Sequence, residues 1–218
     1  MKPLLLSLVA AFAAGAGPAF AADTLSGHPT AAEAPLVAKV SADLQARFAT
    51  VAAATRAGYV RFTDEDDTGA ISYADLEWTS KDPMHPSQLW YDVNGRLLGA
   101  DFSVLQADSP TAPSLWGVDP KRWITFNAHV HYGLIGPNHT TIYGGTGARK
   151  LGEAAVAHPT ASDLVAAGIA KSTSDVRFVF AFPAIWDLEV WVLPNPNGAF
   201  AQKNPNVVPV HPPKSSSM

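Results

Sequence analysis

The chain of 218 residues contains no cysteine. That excludes disulfides, thiolate metal sites, thiol redox chemistry and a cysteine nucleophile, and leaves His, Asp, Glu and backbone oxygen as metal donors. A basic surplus is also missing: 15 Lys and Arg stand against 19 Asp and Glu, a formal net charge of −4. Nucleic-acid binding wants a basic face, so no such partner is expected. Neither a G-x-S-x-G nucleophile elbow nor P-loop spacing occurs, although "GGTGARK" carries the glycines and a lysine. No internal repeat is present.

Long hydrophobic runs are scarce too. Leu4–Ala14 falls short of the roughly 20 apolar residues that span a bilayer. It follows Lys2 and precedes Ala19-Phe20-Ala21, which offers small residues at both signal-peptidase positions. Residues 1–21 therefore read as a secretory signal peptide, with a periplasmic or secreted mature chain and no transmembrane segment after cleavage. Asn138-His139-Thr140 is a glycosylation sequon, meaningful only in a eukaryotic secretory pathway.

What the chain does contain is patterned. Residues 22–34 read as a flexible leader. Leu36, Val40, Leu44, Phe48 and Val51 then mark one stripe of an amphipathic helix, opened by Pro35 and closed by Gly58. "SQLWYDVNGRLLGADFSV" reads as a hairpin on a type I′ Asn94-Gly95 turn. "WITFNAHVHYGLI" reads as one long strand, with Phe126, Ala128, Val130 and Tyr132 on its core face and "TTIYG" returning beside it. Thr160 or Ser162 caps a second helix running to Lys171. "VRFVFAF" suits a strand buried on both faces. "IWDLEVWVL" alternates, with Leu188, Val190 and Val192 on one face and Asp187, Glu189 and Trp191 on the other. The expected fold is α+β, an N-terminal helix with a mostly antiparallel sheet, as one domain over residues 35–208. A Pro- and Ser-rich tail over 209–218 is expected to be disordered.

Two segments carry chemistry. In "HVH" the two imidazoles share a face, because strand side chains alternate, at roughly 7 Å between Cα atoms. His129 and His131 suit Zn, Cu or Fe, with Glu189, His85 or His139 as the third ligand. A histidine near its ordinary pKa of about 6.5 also suits metal-free acid/base work. The bland alternative is a pair of hydrogen-bonded polar residues on an open sheet face or a pocket wall. "DEDDTGAISYAD" matches a calcium loop, with Asp64, Asp66, Thr68, Ala70 (by its carbonyl), Ser72 and Asp75 at the ligand positions and Gly69 at the turn. Its alternative is a solvated acidic turn between strands. Six tryptophans are available to line a pocket or fill the core.

"AGYVRFT", "HPSQLWYDVNGRLLGADFSV" and "LEVWVLPNPNGAFAQKNPNV" together resemble segments of a family of exported, functionally uncharacterised bacterial and fungal proteins. The resemblance covers most of residues 40–208. It implies export and the fold above but no activity. Relatives often carry His where this chain has Glu189, which draws attention to that position. Cupin-like sites place a Glu shortly after the H-x-H, and α-type carbonic anhydrases add a third histidine strand; this chain has neither. Three functions stay open: binding of a metal ion or small ligand around His129, His131 and Glu189; a metal-dependent enzyme using the same residues; or a structural protein with a weak Ca²⁺ loop at 64–75.

Overall fold

The computed structural model describes residues 25–80 and 82–211. The signal-peptide expectation for residues 1–21 lies outside this range, as does most of the tail. Two helices open the fold, α1 (Ala34–Phe48) and α2 (Val51–Arg56), with Pro35 in the first turn of α1. The single helix expected up to Gly58 breaks at Thr50, whose side chain accepts from Ala53 N and caps α2. Strands β1 (Val60–Arg61), β2 (Ile71–Ala74), β3 (Gln88–Tyr91), β4 (Leu97–Leu105) and β5 (Ile124–Phe126) follow. The chain continues through β6 (His129–Ile135), β7 (Thr141–Thr146) and three short helices, α3 (Ala148–Leu151), α4 (Glu153–Ala157) and α5 (Ala161–Ala166). It closes with β8 (Val176–Phe182) and β9 (Ile185–Trp191). Thr160 caps α5 as expected, but the helix ends at Ala166 rather than Lys171.

The strands form two antiparallel sheets, one in the order β1-β2-β3-β4-β9-β5 and one in the order β7-β6-β8. The fold is α+β, as the sequence implies. One face of the larger sheet carries Leu89, Tyr91, Ala100, Phe102, Leu188, Val190 and Val192, packed against Val40, Leu44 and Phe48 of α1. This is the main core. The opposite face is the polar one and faces the smaller sheet.

Two long strands bend to make this arrangement. The strand expected over "WITFNAHVHYGLI" is broken at Asn127-Ala128 into β5 and β6, which belong to different sheets. Its partner breaks at Pro183-Ala184 into β8 and β9. Phe126 pairs with Ile185 before the bend, and His129 with Phe182 after it. Pro183 has no N–H to offer a ladder. Gln106 pins the corner: its backbone N–H donates to Ala184 O, and its side-chain amide donates to Phe126 O and Ile185 O. The bend sends Phe126 to an exposed position instead of the expected core face, and Ala128 is exposed too, while Val130 is fully buried. Strand β8 lies at a sheet edge and is mostly half-buried, not covered on both faces.

Residues 26–33 are held rather than loose. Arg122 donates to Ser26 O and His28 O and forms a buried ion pair with Glu33 at 3.0 Å. Phe200 N donates to Gly27 O. At the other end, buried Glu65 accepts from Val210 N and His211 N, so residues 210 and 211 are tied to the body.

Candidate functional site

The space between the sheets is a cleft of about 580 Å³. The polar face of the larger sheet forms its floor. Antiparallel register sets Gln88, Asp101 and Glu189 in one row across β3, β4 and β9, with Ser103 opposite Asp187 in the next. Because β9 alternates, Asp187, Glu189 and Trp191 share the cleft face while their neighbours fill the core. Asp101, Asp187 and Glu189 bring one carboxylate oxygen each to within 4.8 Å of the others.

Each acid is positioned by its own contacts. Trp90 Nε1 donates to Asp101 Oδ2 at 2.8 Å. The indole reaches this position because Gly99, beneath it, has no side chain: a Cβ there would lie 2.6 Å from the ring. Ser103 Oγ donates to Asp187 Oδ1 at 2.8 Å and is itself 2.6 Å from Ser87 Oγ, which holds the pair in place. Asp101 Oδ1 is buried and meets no donor among the described residues. The Asp187 carboxyl beside it can pair with it only through a shared proton or a cation.

Among the described residues no Lys or Arg forms an ion pair with any of the three. No basic partner therefore offsets their burial. Burial pushes Asp101 well above the usual carboxylate range, an effect the neighbouring Asp187 and Glu189 charges reinforce. Burial also lifts Asp187 to about 7, against the Ser103 hydrogen bond. Glu189 rises to about 7 through burial and the charge of Asp66.

The opposite wall carries His129 and His131. They share a face of β6, as the alternation requires. His129 stacks on Phe182 at 4.3 Å between centroids, and His131 meets the edge of Phe62 at 4.7 Å. Burial lowers His129, against the opposing effect of its bond to Asn127 O, and lowers His131 to about 3, helped by His129. Both rings are therefore neutral at pH 7, where ordinary imidazoles titrate close by. The two Nε2 atoms are 2.9 Å apart, and His129 Nδ1 lies 2.8 Å from Asn127 O.

Several expected ligands are elsewhere. Strand β6 does not pair with β9, so Glu189 faces the histidines across a cleft and does not join them in one sheet; neither histidine belongs to the close carboxylate group. His85 is exposed and bonded to Asp82 at 2.7 Å. His139 is exposed in a short turn, its carbonyl accepting from Arg177.

The 64–75 loop has the hydrogen bonding of a turn closed on its own side chains. It is a hairpin turn between β1 and β2, without flanking helices. Asp66 Oδ1 accepts from Thr68 N, Thr68 Oγ1 and Ala70 N, while the Ala70 carbonyl accepts from Asp66 N. Asp64 bonds Arg61, Ser72 sits on β2, and Asp75 accepts from Glu77 N and Trp78 N beyond its end. The same device builds the next hairpin, where Asp92 Oδ1 accepts from Asn94 N and Arg96 N and Gly95 alone in that turn takes a positive φ. That turn is thus not the expected type I′, which needs positive φ at Asn94 as well.

Asp101 and Asp187 were not singled out from the sequence. The available signal was the small or polar alternation Gly99, Asp101, Ser103 against Ala100 and Phe102, matched by Asp187 and Glu189. Compared with known protein families, with curated proteins and with solved structures, the chain matches none of them.

Proposed function

We propose that the chain binds a divalent cation in the inter-sheet cleft through Asp101, Asp187 and Glu189, and that the ion anchors a small ligand in the remaining cavity. One observation carries this reading: Asp101 Oδ1 is buried without a donor beside a second buried carboxyl. Such a group costs on the order of 1–3 kcal/mol or more unless something positive meets it. An all-oxygen donor set suits hard ions, Ca²⁺, Mg²⁺ or Mn²⁺. Trp90, Trp191 and Phe182 give the cavity apolar walls of the kind small-ligand sites use. The character of residues 1–21 favours export, where calcium sites of weak affinity are still filled.

A second reading keeps the cleft metal-free. Asp187 and Glu189 near 7 would then serve as acids facing neutral imidazoles, an acid/base pair across a bound substrate. Calorimetric titration of the full chain with Mn²⁺ and Ca²⁺ at pH 7.5 separates the two. The cation reading expects one ion per chain, lost in Asp101→Asn. The absence of heat and of any thermal stabilisation with either ion favours the metal-free reading.

A further inference from the structure

We propose that His129 and His131 form a second metal site of their own, a two-imidazole seat for a first-row transition ion, Cu(II) foremost, distinct from the carboxylate site. Asn127 O can only accept, so the His129 nitrogen 2.8 Å from it, Nδ1, carries the proton. His129 Nε2 is then a bare lone pair aimed at His131 Nε2, 2.9 Å away. This lock of one ring nitrogen by a backbone carbonyl is the outer contact that metal-binding histidines habitually make.

The 2.9 Å separation has two readings. The rings share an N–H···N bond, or both lone pairs converge on one ion. His131 Nδ1 is a lone pair in the first and an N–H in the second, and no described residue is bonded to it in either. In the second, both Nε2 lone pairs meet the ion, with His129 held in the required tautomer by Asn127 O. With metal–nitrogen bonds of about 2.0–2.1 Å, a 90° angle at the ion places the nitrogens about 2.9 Å apart, and a tetrahedral angle about 3.4 Å apart. The spacing therefore selects square-planar or octahedral ions over tetrahedral zinc, and Cu(II) binds nitrogen donors most tightly among them. Phe62, Phe180 and Phe182 hold both rings at fixed tilt. The ion's remaining positions would open into the cleft, toward whatever the cleft holds.

This site does not depend on the carboxylate reading, and the test keeps them apart. Full chain without an affinity tag is titrated with Cu(II) at pH 7.5 and followed by electron paramagnetic resonance; Mn²⁺ binding is measured in parallel. The expected result is one tight Cu(II) with coupling to two imidazole nitrogens, lost in both His129→Gln and His131→Phe and retained in Asp101→Asn. Mn²⁺ binding should be unchanged in the two histidine variants. His129→Gln alters the more exposed end of the pair, so it stands in if His131→Phe fails to fold. A copper signal that survives both variants, or one without two-nitrogen coupling, comes from other imidazoles or the chain terminus and overturns the proposal.

Discussion

Asp101 stands directly opposite Glu189 across the antiparallel β4–β9 pair, with Asp187 two residues back on the same face. Facing positions in a ladder favour opposite charges, and like charges there are destabilising. Here Asp101 is also buried, Glu189 is half-buried, and neither has a basic partner among the described residues. The fold therefore tolerates an arrangement that costs stability in the absence of a positive ligand, as functional sites commonly do.

The first consequence concerns Asp101→Asn. Asparagine keeps the shape and can give its amide N–H₂ to Asp187. The metal-free variant should be more stable than the parent, by about 1–3 kcal/mol, while cation binding falls sharply. Thermal unfolding with and without Mn²⁺ checks both signs. A variant less stable than the parent, yet still binding, would count against the cluster as a strained ion seat.

Stability should depend on pH in two opposing ways. Asp187 and Glu189 are raised to about 7 from ordinary values of 3.8 and 4.5. Their contribution is full below about 4 and is lost as pH rises through 7. His131 is lowered to about 3 from 6.5, so its contribution is full above 6.5 and is lost as pH falls toward 3. Denaturant titrations of chelator-treated protein should show the alkaline-side loss disappear with saturating Mn²⁺. His131→Phe should reduce the acid-side loss and leave the alkaline side as it was.

Gly99→Ala tests how the site is positioned. A methyl at residue 99 meets the Trp90 ring and Val190 O at 2.6 Å, so the indole must move and release Asp101 Oδ2. The expected outcome is a shifted Trp90 fluorescence, a loss of about 1–3 kcal/mol from overpacking, and weaker cation binding. Native fluorescence and native affinity together would mean that Trp90 does not set the geometry.

Glu33→Gln probes the clamp on the N-terminal segment. Burial alone would raise Glu33, but bonds from Arg122, Thr30 and Asp119 bring it down to about 2. Removing that charge leaves Arg122 buried beside a neutral amide and should cost about 3–5 kcal/mol. The parent should also lose this contribution as pH falls from 4.5 toward 2. Proteolysis within residues 25–33 should become faster in the variant, with cation affinity retained.

Much of this was legible in the strand pattern. The alternation of Asp187, Glu189 and Trp191 against Leu188, Val190 and Val192 fixed which face is polar, and the H-x-H spacing put both imidazoles on one side. The bend at Asn127 and Pro183 was not legible, because a continuous run of strand formers does not say which sheet each half joins. That bend is what brings the histidines over the acids. The 64–75 segment is ambiguous in sequence because a calcium loop and an Asp-x-x-Gly hairpin turn share residue types at the same spacing. They differ in the fate of the oxygens, and here Asp66 Oδ1 is consumed by the turn itself.

On the proposed reading the three carboxylates hold one cation. Anomalous diffraction from crystals of the full chain grown with Mn²⁺ tests it most directly. The expected result is one strong peak within about 2.0–2.6 Å of oxygens from Asp101, Asp187 and Glu189, absent in Asp101→Asn crystals. A cleft without that peak at saturating Mn²⁺, with the acids still in contact, would contradict the claim and leave a shared proton as what binds Asp101 to Asp187.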